Sequence, residues 1–209
     1  MPPVKLSVLS ILLGLVFGLP HIYGVMKPDA YGRLLRRFPR CTPAGYVLMC
    51  LGTAWFLAYL SQESISDFAP FKPFLYALFA MVGLGACLFV KDLLPVRGLA
   101  VVFLLLGKLM VDSARWIDSE WRLVIVTWAY VLVVAGIWFT ISPWRLRDLI
   151  DWSTASAGRI RLFSTARVAF GLFVMILGLT VFRAAEQSKS APQRSAGPGQ
   201  AGLVRTWVV

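Results

Sequence analysis

Six apolar stretches dominate this chain: Leu6 to Met26, Gly45 to Leu60, Phe74 to Val90, Gly98 to about Trp116, Leu123 to Ile141, and Val168 to Phe182. Crossing the roughly 30 Å hydrocarbon of a bilayer takes about 20 predominantly apolar residues at 1.5 Å of rise each. The first, fourth and fifth stretches reach that length, and the second, third and sixth do so by borrowing flanking residues. No water reaches the hydrocarbon to satisfy free N–H and C=O groups, and the alternating pattern of a barrel strand is absent, so the stretches predict helices. Composition agrees, with 58% hydrophobic residues, 15% charged and a mean hydropathy of +0.74, against about 25% charged in soluble domains. The expectation is an all-α, polytopic transmembrane helical bundle of about six spans. It forms one domain over residues 1–186, and residues 187–209 form a flexible tail. The polar, turn-rich Gln187 to Gly202 defines the tail, which ends in an apolar tip of Leu203, Val204, Trp207 and Val208. Lys5 precedes the first run, but no A-x-A-like cleavage site follows it, so the run reads as an uncleaved helix.

The net charge of +11 does not point to nucleic acid, because the basic residues gather in short gaps between apolar runs. They read as topology signals. One set of connections holds Lys27, Arg33, Arg36, Arg37 and Arg40, then Lys91 and Arg97, then Arg145, Arg147, Arg159, Arg161 and Arg167. The opposite set holds Lys5, Lys72, Arg115 and Arg122, with the acids Glu63, Asp67, Asp118 and Glu120. Basic connections stay cytoplasmic, which places both termini outside; Arg183, Lys189, Arg194 and Arg205 of the tail dissent. Cys41, Cys50 and Cys87 are odd in number and lack CxxC spacing, so they read as plain thiols.

After the first run, Pro28 opens a segment in which Tyr31, Leu34, Leu35 and Phe38 share one helical face while Arg33, Arg36 and Arg37 lie opposite. This predicts a short amphipathic elbow whose apolar face sinks into the headgroup boundary while its arginines meet anionic lipid. Pro143 then matches Pro28, and Leu146, Leu149 and Ile150 match Tyr31, Leu34 and Leu35, with Arg145 and Arg147 as the basic residues. The correspondence of 28–60 with 143–182 is compatible with a parallel repeat, and the six spans with three successive hairpins, 1–2, 3–4 and 5–6. Ser142-Pro143, Arg145, Arg147, Arg161 and Arg167, before a span carrying Gly171 and Gly178, resemble a group of small two-span bacterial inner-membrane proteins of uncharacterised function. The resemblance covers about a quarter of the chain and implies a bacterial inner membrane and no activity.

Chemistry has few carriers. Lys108, Asp112 and Arg115 stand at i, i+4 and i+7 on an otherwise aliphatic fourth span, with Lys108 expected near mid-bilayer, where a charge costs about 2.5–3.5 kcal/mol on insertion scales. They form either a proton- or ion-responsive face lining a cavity or a structural pair whose lysine snorkels outward. His21, the one histidine, follows Pro20 and is either a ligand to a haem or chlorin metal or a hydrogen-bonded residue at a kink, the commoner case. No cofactor or metal is predicted. No GxSxG, HExxH, Walker A or paired-carboxylate pattern appears. Gly14 and Gly18 form a GxxxG suited to close helix packing, within the chain or between chains. Trp116, Trp121, Trp144 and Trp152 flank spans as interfacial anchors, and Trp55, Trp128 and Trp138 are expected to pack between helices. By elimination, the sequence favours a noncatalytic accessory, scaffold or assembly component of a membrane complex, with another membrane protein or a second copy as partner. A small proton- or ion-coupled transporter is the alternative, and a lipid- or quinone-linked enzyme a weaker one.

Overall fold

The structure is a computed structural model that describes residues 4–62, 71–90, 92–117 and 119–190. Glu63, Asp67, Lys91, Asp118 and the tail from 191 onward, including its apolar tip, lie outside the described residues. Those described are all-α. Six helices are long and apolar enough to cross a membrane. In chain order the elements are α1 (Leu6–Met26), α2 (Pro28–Arg37), a 3-10 turn (Phe38–Arg40), α3 (Thr42–Gln62), α4 (Lys72–Phe89), α5 (Leu94–Ala114), α6 (Arg122–Ile141), α7 (Trp144–Ser153) and α8 (Ala157–Leu177). A π-helical turn (Gly178–Phe182) then leads into α9 (Arg183–Ser190).

α1 has the bounds its hydropathy gives, and α3 to α6 lie within a few residues of theirs. α5 starts a turn earlier than expected because Pro95 fits a helix's first turn, where a missing N–H costs nothing. Leu93 precedes it at a left-handed φ of 53° and turns the chain into the helix. The last helix departs most. Residues 157–167, expected in a loop, are its first three turns, begun by Ser156, whose Oγ accepts from the Arg159 N–H at 3.3 Å. It also continues through the π-helical turn to Ser190, into the stretch read as tail. Hydropathy misses both extensions because they are polar and basic, although neither property opposes a helix outside hydrocarbon.

Glycines decide which helices meet. A Cβ on Gly14 would lie 2.5 Å from the Gly171 carbonyl oxygen, and one on Gly171 would lie 2.8 Å from that of Gly14. The backbones of α1 and α8 are therefore in direct contact, and the GxxxG of the first helix is spent inside the chain. Gly98 lets α5 approach the Met49 nitrogen of α3 (2.9 Å from a built Cβ), and Gly136 lets α6 approach the Ala100 carbonyl of α5 (3.0 Å). α4 packs against α3 where Gly83 meets Thr53 and Phe56 meets Phe79, ring centres 4.5 Å apart.

The main pairings are thus α1 with α8, α3 with both α4 and α5, and α5 with α6. This corrects the expected hairpins: the sequence-adjacent pairs are the second with the third apolar helix and the fourth with the fifth, closed by the first against the sixth. For the first and last of the expected hairpins the elbows are the physical reason. A ten-residue helix such as α2 or α7 displaces the chain by about 15 Å, more than the 8–10 Å between packed helix axes. The core between α1, α5, α6 and α8 holds Leu6, Met110, Ile125, Trp128, Val174 and Phe182.

Candidate functional site

Two places carry polar chemistry, one at each end of the bundle. At the first, α2 and α7 lie against each other. Arg36 fixes them: its Nε donates to Thr154 Oγ1 at 2.9 Å and its Nη2 to the Thr154 carbonyl at 2.6 Å, with Asp151 Oδ1 at 3.8 Å. Thr154 is almost wholly buried and follows the last turn of α7, where carbonyls lack helical partners. The apolar faces of both elbows dock on protein. Leu35 and Phe38 of the first and Leu146 and Ile150 of the second pack around Val96 and Ala100 at the start of α5, and Tyr31 is 5% exposed. The expectation that these faces sink into headgroups is corrected accordingly, because the mouth of α5 offers them an apolar seat. Leu34 and Leu149, which occupy matching positions in the two elbows, remain outside at 60% and 48% exposure. Arg33, Arg37 and Arg145 are exposed, and Arg147 is exposed with Asp148 at 3.6 Å.

His21 sits just beneath the elbows. Its Nδ1 lies 2.7 Å from the Phe17 carbonyl and its Nε2 lies 3.5 Å from Arg167 Nη1. A carbonyl only accepts and a guanidinium only donates, so Nδ1 carries the proton and Nε2 offers its lone pair. Both ring nitrogens are engaged. Metal ligation would displace Arg167 and set a metal cation beside a guanidinium, so the geometry favours the hydrogen-bonded role over the ligand role. The Tyr31 ring lies edge-on to His21, 5.8 Å between centres. Burial pushes the Tyr31 hydroxyl above the usual tyrosine range, partly offset by the Arg167 charge.

At the opposite end, Lys108 Nζ donates to Asp112 Oδ2 at 2.9 Å and lies 5.2 Å from the centre of the Tyr59 ring of α3, on which Trp55 stacks. Lys108 stands fourteen residues from Leu94 and six from Ala114, about 21 Å from one end of the helix and about 9 Å from the other. Along α5 the pair therefore sits nearer the end opposite the elbows. The Lys108 and Asp112 side chains are 45% and 42% exposed on the flank of the bundle, where α3 and α5 meet. Arg115 is exposed just beyond the end of α5.

Sequence reasoning missed Glu186. Its carboxylate accepts from the Ser7 backbone N–H at 3.0 Å and the Ser7 hydroxyl at 2.6 Å, capping the N-terminus of α1 with charge from α9. Nothing local signals a contact 179 residues apart. Thr154 and Tyr59 were missed for the same reason. Trp116, Trp121, Trp144 and Trp152 are exposed near helix ends and Trp128 is buried as expected, whereas Trp138 is 54% exposed on α6 rather than packed.

Two of the hollows are apolar and open outward, whereas a third, of about 360 Å³, is lined by Ser119, Glu120, Arg122 and Leu123. One, of about 460 Å³, is lined by Leu123, Val124, Thr127, Trp128, Val131 and Phe170; another, of about 200 Å³ between α3 and α4, includes Cys50 and Cys87 in its lining. Among the described residues no three His, Cys, Asp or Glu side chains gather to hold a metal ion. No protein family, curated protein or solved structure matches the chain.

Proposed function

We propose that this chain is a six-span protein of a bacterial cytoplasmic membrane, with its basic elbows inside and both termini outside, acting as a noncatalytic accessory or scaffold component. Its partner is another membrane protein or a second copy of itself. Six span-length apolar helices and the gathering of arginines at one end support the membrane placement. The observation that carries the scaffold role is the setting of Lys108 and Asp112. They pair with each other, each nearly half exposed, on the outer flank of the bundle. A half-exposed ion pair on the flank of a span is costly against lipid, so this face favours contact with a neighbouring membrane protein over contact with acyl chains.

The same pair is the basis of a second reading, a small proton- or ion-coupled transporter in which Lys108, Asp112 and Arg115 face a pathway completed by another chain. Proteoliposomes separate the two. For a scaffold, the purified chain moves protons no faster than empty vesicles, and in mild detergent its mass exceeds that of a monomer or a partner stays in fixed stoichiometry. Flux well above background that is lost in Lys108→Met overturns the scaffold role and establishes transport.

A further inference from the structure

The two elbows end up as one surface, and its composition is specific. α2 begins two residues after α1 ends, and α7 three residues after α6 ends, so in a membrane-spanning bundle both lie where hydrocarbon gives way to headgroups. Their arginines divide by role. Arg36 is committed to Thr154 and Asp151, and Arg147 has Asp148 as neighbour. Arg33, Arg37, Arg40 and Arg145 are exposed, and their side chains make no hydrogen bond or ion pair with the described residues. The same two elbows also leave exposed Leu34 and Leu149, together with the indoles of Trp144 and Trp152.

We propose that the paired elbows form a single binding platform for anionic phospholipid, in which Arg33, Arg37, Arg40 and Arg145 hold the phosphate-bearing headgroups while Leu34 and Leu149 enter the acyl boundary. The proposal rests on the membrane-spanning reading above. Guanidinium groups pair with phosphate oxygens through parallel N–H donors. Basic residues at an anionic surface each strengthen binding about fivefold at moderate salt, and more than one attachment is needed for a lasting hold. Charge alone would fit any soluble polyanion. The two leucines, at matching positions of the two elbows and left outside while Tyr31, Leu146 and Ile150 are buried and Leu35 and Phe38 partly so, select a ligand that brings its own hydrocarbon. Arg36 is excluded from the site despite sharing the elbow, because its guanidinium is the brace that brings the elbows together.

The test uses the full chain in vesicles of phosphatidylcholine containing a minority of phosphatidylglycerol. Retention of the chain in the membrane after an alkaline wash is scored first; release would sink the membrane reading itself. Phosphatidylglycerol retained by the chain on extraction is then measured by native mass spectrometry. The wild-type chain is expected to carry severalfold more phosphatidylglycerol than its share of the bilayer. Combined Arg33→Gln, Arg37→Gln, Arg40→Gln and Arg145→Gln substitution brings retention down to that share, and the four lysine substitutions largely restore it. Leu34→Ser with Leu149→Ser lowers it with the charges intact. Unchanged enrichment in the glutamine variant overturns the proposal. Equal competition by inorganic phosphate at matched ionic strength also overturns it, in favour of a free-anion site.

Discussion

Arg36 and Glu186 do at opposite ends of the molecule what hydropathy cannot: each supplies a charged group to a helix terminus belonging to a distant part of the chain. Arg36→Ala is expected to lower stability by about 1.5–3 kcal/mol, the range for hydrogen bonds made by a charged group. The Asp151 contact adds little because both side chains are about half exposed. Arg36→Lys recovers only part of this, since an ammonium is a point charge and the two bonds to Thr154 use the fork of a guanidinium. Thermal unfolding in detergent checks both, and wild-type stability in Arg36→Ala would show that the elbows are held without the brace. Glu186→Ala removes an acceptor from the Ser7 N–H, one of the unpaired donors at the start of α1, and a negative charge from a helix N-terminus. A loss of about 1 kcal/mol is expected, with Glu186→Gln between alanine and wild type because it keeps an acceptor oxygen. Equal melting of the glutamine and alanine variants would show that charge alone matters there.

Among helices, close backbone approach rather than apolarity selects partners, since every long helix here is apolar enough to pair with any other. Gly14 and Gly85 make the contrast measurable. Gly14→Ala drives a Cβ into the Gly171 carbonyl, which cannot rotate aside, so α1 and α8 must separate at a cost of about 1–3 kcal/mol. Nothing stands within 4 Å of a Cβ on Gly85. There the same substitution is expected to be neutral or to gain up to about 1 kcal/mol through helix propensity. Equal effects in a denaturation series would mean that the α1–α8 contact is not the tight one. The apolar runs and the 3.6-residue periodicity of α2 make six long helices and two elbows legible in the sequence, because both signals are local. Neighbour choice was not legible: Gly14–Gly171 and Gly98–Met49 are surface matches between segments, and no single run encodes them. The candidate sites follow the same division. The spacing of Lys108 and Asp112 foretold their ion pair, whereas Tyr59 beside Lys108, Thr154 beneath Arg36 and Arg167 against His21 depend on tertiary approach.

For the molecule as a whole, the elbows, the start of α3 and the start of α5 share one end, and the ion pair, α9 and the connection from α5 to α6 lie toward the other. If the six long helices all cross the bilayer, Cys41 and Ser119 are separated by α3, α4 and α5 and must face opposite sides. Cys41 is exposed ahead of α3, while Cys50 and Cys87 lie within apolar helices. A chain with Cys50→Ala and Cys87→Ala therefore keeps one thiol at the elbow end. A membrane-impermeant maleimide is expected to label it in inverted vesicles and not in intact spheroplasts, because arginine-rich connections resist translocation. Adding Cys41→Ala and Ser119→Cys should reverse the pattern. Labelling of both positions from the outside would mean that α3, α4 and α5 do not all cross. Reversal of both, with opposite faces retained, would keep the six crossings and turn the molecule over. The elbows and their free arginines would then meet the outer leaflet, and the lipid platform would have to draw its anionic headgroups from there.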